Sequence, residues 1–278
     1  MANVVVDRLL ANGVTDVVLA PGSRSTPLAL RLAAAEREGA IRLHVRIDER
    51  SAAFLALGIA KVSRLPIAVV CTSGTAVANL APAVVEAAYA GLPLIVISAD
   101  RPPELRGVGA NQTIDQVGFF GQQVRTAVDL LASGQDAQAP ATWRKVTDRV
   151  IHDAIGLGHR GPAPVQLNVG FREPLGPEFG YDQSPLAPAD ISDLTPPKVM
   201  RETINFAVGD LGLAEIPARG IVLIGDVPSP EIAGQAMELA DECGWPCISE
   251  PSGNALAGAT AIAAAAVLLA DEGVRTSH

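Results

Sequence analysis

The chain has 278 residues, 49% hydrophobic and 4% aromatic, with a formal net charge of −9, which suits one large or two ordinary globular domains with cores of Ala, Val, Leu and Ile. Met1-Ala2-Asn3-Val4 lacks the start of a signal peptide, and the bland run Ala255–Ala270 falls short of the ~20 strongly apolar residues of a membrane span, so a soluble cytoplasmic protein is expected. Residues 1–180 carry 17 basic against 16 acidic side chains, and residues 181–278 carry 4 against 14; this acidic second part argues against nucleic acid as a partner.

Val4–Ala11 has apolar residues at helical spacing and ends near Gly13. Val14–Ala20 reads as a buried strand running into Pro21-Gly22-Ser23-Arg24-Ser25-Thr26-Pro27, with a helix from Pro27 to about Arg37. Arg42–Ile47 alternates polar and apolar residues, the period of a strand, and helical spacing takes over from Glu49 to about Val62. Pro66–Cys71 is a third apolar strand, followed by Thr72-Ser73-Gly74-Thr75 and a helix to about Tyr89; Pro93–Ser98 is a fourth, ending at Ala99-Asp100-Arg101-Pro102. Gly107 to Val124 reads as irregular, and a loop of that length in a compact domain is a functional candidate. A helix capped at Thr142 runs to about Leu157, and Pro164–Val169 is a fifth strand.

A Pro-rich linker at 181–200 separates this first domain, residues 1–180, from a second unit at 201–278. There the pattern predicts a helix at 201–212, a strand at Gly220–Gly225, a helix at 231–243 and a short strand at Pro246–Ser249. Too few strands remain to finish a doubly wound sheet, so the chain reads as the front part of a longer protein. Cys71 sits inside an apolar strand as a small hydrophobe. Cys243 and Cys247 have no His or Cys nearby to complete a zinc site, so no metal site is expected.

Strands alternating with helices make repeated βαβ units, and continuous apolar runs such as 94–97 imply a parallel sheet covered on both faces. The predicted class is therefore α/β. In a parallel sheet all carboxyl ends share one edge, so the loops at Gly22-Ser23-Arg24, Asp48-Glu49, Ser73-Gly74-Thr75 and Asp100-Arg101 converge on one crevice, where open α/β sheets bind ligands. An acid at 48–49 is open to two readings: a helix-capping carboxylate or a catalytic acid at a strand end. Ser73-Gly74-Thr75 opens a helix and offers backbone N–H groups to an anion. No G-x-G-x-x-G follows a strand, G-x-x-x-x-G-K-[ST] does not occur, and no Gly-x-Ser-x-Gly elbow accompanies the scattered His44, His152 and His159.

The combination is more specific than its parts. Pro21-Gly22-Ser23-Arg24-Ser25-Thr26-Pro27-Leu28, Asp48-Glu49-Arg50, Ala56–Ser63, Thr72–Leu80, Ala99–Leu105 and Gly109-Ala110-Asn111-Gln112 follow one another in an order that closely resembles the N-terminal half of the 2-succinyl-5-enolpyruvyl-6-hydroxy-3-cyclohexene-1-carboxylate synthases, thiamine-diphosphate enzymes of menaquinone biosynthesis. The likeness is dense over about residues 14–125, looser to 180 and thin beyond, where Gly244-Trp245-Pro246 is its clearest trace. It implies a pyrimidine-binding domain at 1–180 followed by an incomplete central domain. The family's pyrophosphate domain, with its Gly-Asp-Gly loop and the ligands of Mg²⁺ and diphosphate, has no counterpart in the sequence, so the chain by itself is expected to be inactive.

By that resemblance Glu49 is the acid that hydrogen-bonds N1′ of the aminopyrimidine, and a dry pocket helped by Ala52, Ala53, Phe54 and Leu55 would keep its proton on. Ser73, Gly74 and Thr75 fall to the cofactor. Ser23, Arg24, Arg101, Asn111 and Gln112 match positions that hold isochorismate or the growing adduct, while Arg106 and Arg125 match none and read as structural. The implied reaction decarboxylates 2-oxoglutarate and adds the succinyl unit to isochorismate, in a homodimer or a dimer of dimers. Another thiamine-diphosphate carboligase, acetolactate-synthase-like, and a non-catalytic binding module are the alternatives.

Overall fold

The computed structural model describes residues 1–131, 138–159, 161–176, 218–227, 230–253, 258–262, 267 and 270–273. The chain divides into two compact units, Met1–Met200 and Arg201–His278. The predicted linker 181–200 and the predicted helix 201–212 lie outside the described residues.

The first unit carries six parallel strands: β1 (Asp16–Leu19), β2 (Arg42–Val45), β3 (Ile67–Cys71), β4 (Leu94–Asp100), β5 (Ala127–Leu131) and β6 (Val165–Gly170). Their spatial order is β2-β1-β3-β4-β6-β5. The order of burial explains the sequence pattern. The central strands β1, β3, β4 and β6 are buried at every residue, whereas β2 at the edge is exposed or half-buried throughout. Only an edge strand can keep the Arg42-Leu43-His44-Val45 alternation, because its outer residues meet water.

Within the central strands successive side chains go to opposite faces. Val17, Leu19, Ala68, Val70, Ile95 and Ile97 join a cluster with α1 (Ala2–Ala11), α2 (Thr26–Arg37) and α6 (Ala139–Ile155). Val18, Ile67, Val69, Cys71, Leu94 and Val96 join another with α3 (Glu49–Ser63), α4 (Thr75–Asn79) and α5 (Ala81–Tyr89). The result is a helix–sheet–helix sandwich, the predicted α/β class.

Three local features depart from the sequence expectation. The helix predicted from Thr75 to Tyr89 is two helices, broken at Leu80 because Pro82 lacks an N–H and suits only a first turn. Thr142 is not a cap: α6 starts at Ala139 with Gln138 as its N-cap residue, and the Thr142 hydroxyl donates back to the Gln138 carbonyl at 3.3 Å. Strand β5 has no prediction to match it, since Ala127-Val128-Asp129-Leu130-Leu131 is short and pairs only with β6 at the sheet's second edge.

In the second unit β7 (Val222–Ile224) and β8 (Cys247–Ser249) pair in parallel around α7 (Pro230–Cys243). Ile224, Ala233, Ala240 and Cys247 form its small core. This is the βαβ element the sequence predicted. No described helix is long and apolar enough to cross a membrane.

Candidate active site

The strand order turns back on itself between β1 and β3, and the loops leaving those two strands are pressed together: a Cβ on Gly22 would lie 2.5 Å from that of Thr72. A crevice at this switch point is where an open parallel sheet binds its ligand. The loops after β2 and β4 bring Glu49 and Arg101 to the same edge.

At the β2–α3 junction the two acids have different jobs. Asp48 is the N-cap residue and its carboxylate accepts the Ser51 amide at 2.7 Å, which lowers its pKa together with a bond from the Ser51 side chain. Glu49 is thereby relieved of the capping role. It is the first residue of α3, half-buried, and its Oε2 accepts from Asn79 Nδ2 at 3.2 Å. Its carboxylate also reaches the end of β3: the Cys71 thiol is pushed up first by complete burial and then by the Glu49 charge. The expected dry surround is only partly present. Ala52 and Ala53 are fully buried in the core beneath the helix, but Phe54 is 43% exposed. The reason is helical geometry, which turns Phe54 away from the strand ends that its neighbours pack on.

After β3, Ser73 and Gly74 are buried and Thr75 is exposed at the start of α4. Gly74 takes φ +79°, and a Cβ there would meet the Gln112 side chain and carbonyl at 2.9 Å, so only glycine fits. The Gly74 amide, which the sequence offered to an anion, instead donates to Gln116 Oε1 at 3.1 Å. With that group engaged and α4 only five residues long, the helix start is a poor anion cradle.

Arg101 follows β4. Its Nη1 donates to the Ser73 hydroxyl and to the Gln112 carbonyl at 3.0 Å, and Gln112 Nε2 donates to the Ser73 carbonyl at 3.0 Å. Gln112 holds φ +54°, a left-handed conformation that a residue with a side chain adopts at a cost of about 1–2 kcal/mol. Burial lowers the pKa of Arg101, and the neighbouring Arg24 cation lowers it further against Asp100 and Glu173. The guanidinium stays charged, so two cations sit close enough to repel, and a carboxylate between them would relieve that repulsion.

Arg24 is itself 7% exposed. Its Nη1 donates to the Phe171 carbonyl at 3.0 Å, Nη2 lies 3.6 Å from Glu173 Oε1, and Nε is buried with no partner among the described residues. Ser23 and Asn111 are exposed, the Asn111 carbonyl accepting from the Thr113 hydroxyl at 3.2 Å. Of the nine residues singled out from sequence, Ser73, Arg101 and Gln112 are thus brought into one hydrogen-bonded group, with Gly74 packed closely against Gln112. Arg24 couples to it electrostatically, Glu49 stands on the adjoining loop, and Ser23, Thr75 and Asn111 line the open rim.

Behind the group runs a buried polar network the sequence reading missed. Gln116, 1% exposed, donates to the Ala99 carbonyl at 3.0 Å and to Asn168 Oδ1 at 2.8 Å. Asn168 donates to Asp100 and Asp129 at 2.9 Å each, and Arg106 pairs with Asp100 at 2.8 Å and Asp129 at 2.6 Å. Arg125, which like Arg106 the sequence reads as structural, donates to the Asp153 carbonyl at 2.6 Å. The signal was Gln166 and Asn168 in an otherwise apolar strand, since buried amides need partners. Among the described residues no group of His, Cys, Asp and Glu could hold a metal ion.

Residues 1–119 match the family model of the thiamine pyrophosphate enzyme N-terminal domain, described as TPP-binding. A 2-succinyl-5-enolpyruvyl-6-hydroxy-3-cyclohexene-1-carboxylate synthase of Kineococcus radiotolerans is 48% identical over 97% of this chain and 46% of its own length. The synthase of the same name from Saccharopolyspora erythraea is 46% identical over 100% of this chain and 48% of its own length. That of Mycobacterium sp. (strain JLS) reaches 56% over 66% of this chain and 35% of its own length. The chain is homologous to the N-terminal half of these synthases. It spans less than half the length of these relatives, and the synthase likeness extends through the second unit, well past the thin trace read there from sequence.

Proposed function

We propose that this chain contributes the pyrimidine-side half of a thiamine-diphosphate-dependent synthase that decarboxylates 2-oxoglutarate and adds the succinyl unit to isochorismate. The observation that carries the reading is the pairing, on one sheet edge, of a non-capping carboxylate at Glu49 with the Arg101–Ser73–Gln112 group and the Arg24 cation. The residues fit the pyrimidine end of the cofactor: Glu49 is an acid with one described partner, Asn79, at a strand end facing the crevice. Bound thiamine diphosphate would supply the electron sink for loss of CO₂. Glu49 would hold and return a proton at ring nitrogen N1′, and Arg24 and Arg101 would hold substrate carboxylates as forked donors. Ser23, Thr75 and Asn111, on the rim, are proposed contacts to cofactor and substrate. Mg²⁺ and the diphosphate would be held by groups outside this chain's described residues, in a cytoplasmic homo-oligomer whose second subunit closes over the half-buried Glu49.

Glu49→Gln tests the reading in the complete catalytic assembly. The exchange keeps the shape and removes the acid, so turnover of 2-oxoglutarate should fall by ~10²-fold or more. Turnover at the parental rate would overturn the role of Glu49. Preference for pyruvate over 2-oxoglutarate in the parent protein would favour an acetolactate-type carboligase instead.

A further inference from the structure

Gln116 is buried, uncharged, and joined at once to the loop after β3 and to the last residues of β4. Its Oε1 accepts the Gly74 amide at 3.1 Å and its Nε2 donates to the Ala99 carbonyl at 3.0 Å and to Asn168 Oδ1 at 2.8 Å. One side chain therefore ties the loop that carries Ser73 to the end of β4 that carries Arg101. Its own position is held from behind, since Gln166 Nε2 donates to the Gln116 carbonyl at 2.8 Å and Gln166 Oε1 accepts the Gly118 amide at 3.1 Å. Both Nε2 hydrogens are used and Oε1 accepts one bond.

We propose that Gln116 is a positioning residue that sets the spacing of Ser73 and Arg101, and through it the fit of the carboxylate-bearing acceptor substrate. This rests on the function proposed above for Arg101. Gln116 touches neither substrate nor cofactor in that scheme. Ser73 and Arg101 already bond to each other, but the Gly74 amide next to Ser73 is held by Gln116, and glycine's wide conformational freedom opens other geometries to the turn once that bond is lost. Removing the Gln116 acceptor frees the Gly74 amide and lets the turn relax away from Arg101. Glu49, the first residue of α3, bonds Asn79 rather than Gln116, so decarboxylation should be spared while acceptor binding suffers.

The test compares Gln116→Met, which keeps volume and loses every bond, with Asn12→Ala. Asn12 bonds Arg8, Asp148 and His152 at the α1–α6 contact, and its loss is a stability control remote from the site. In the chain itself, amide exchange at Gly74 should speed up about tenfold or more in Gln116→Met beyond any change in global stability, and not in Asn12→Ala. In the complete catalytic assembly, KM for isochorismate should rise about tenfold in Gln116→Met, with the rate of 2-oxoglutarate decarboxylation within about twofold of the parent. Unchanged Gly74 exchange, or equal loss in both steps, would overturn the proposal. If the parent turns over neither substrate, the functional reading fails, and the Gly74 comparison alone decides whether Gln116 is the tether.

Discussion

The Arg101 guanidinium donates to the hydroxyl of Ser73, joining the loop after β4 to the loop after β3 across two adjacent strands. Both residues sit beyond paired strand ends, Val70 opposite Ile97 and Cys71 opposite Ser98, so the contact is set by the register of the sheet. A cation fixed in this way is already oriented before a carboxylate arrives, which lowers the ordering cost of binding.

On the proposed function, Arg101→Ala should therefore separate the two halves of the reaction. Loss of a forked, charge-assisted contact costs about 1.5–3 kcal/mol, roughly tenfold to a hundredfold. The loss should appear in kcat/KM for isochorismate, with decarboxylation of 2-oxoglutarate much less affected. Steady-state kinetics with and without acceptor measure the split, and equal losses would assign Arg101 a structural role.

Acid stability should depend on Asp16 at the β1–β2 contact. The Arg42 guanidinium, bonded at 2.6 and 2.8 Å, holds the Asp16 carboxyl down from its ordinary 3.8 to about 2, with His44 and Thr15 adding to it and burial opposing. A depressed carboxylate stabilises the fold above its unfolded pKa, and that stabilisation is lost as pH falls from 3.8 through about 2. Arg42 is 74% exposed, so solvent screening limits the effect to about 1 kcal/mol. Urea midpoints between pH 5 and pH 2 should fall less steeply in Asp16→Asn than in the parent; parallel curves would exclude the pair as a source of acid lability.

Gly22→Ala should push apart the two loops that frame the crevice. The backbone at Gly22 is extended, so the cost is contact with Thr72 at 2.5 Å rather than strain. Overpacking of this kind costs about 1–3 kcal/mol. Denaturant midpoints should fall accordingly and recover in part when Thr72→Gly is added, because removing the opposing Cβ relieves the clash. Two additive losses would show that the loops yield independently.

The α/β class, the βαβ order, five of the six strands in the first unit and the loops carrying Glu49, Ser73 and Arg101 were legible because each depends on local pattern. Apolar runs in Ile67–Cys71 and Leu94–Asp100 report burial on both faces, and a parallel sheet then puts their following loops on one edge. The likeness to the synthases, read from motifs in their order, needed no coordinates for the same reason. Tertiary structure alone decided which acid caps α3, which amides remained open to an anion and what stands behind the site. Asp48 took the cap from Glu49, Gln116 took the Gly74 amide, and Arg106 joined Asp100 to Asp129. Gln116 and Gly74 are 42 positions apart and Arg106 and Asp129 are 23 apart, and a buried polar group chooses its partner by distance in space, which no short window of sequence contains.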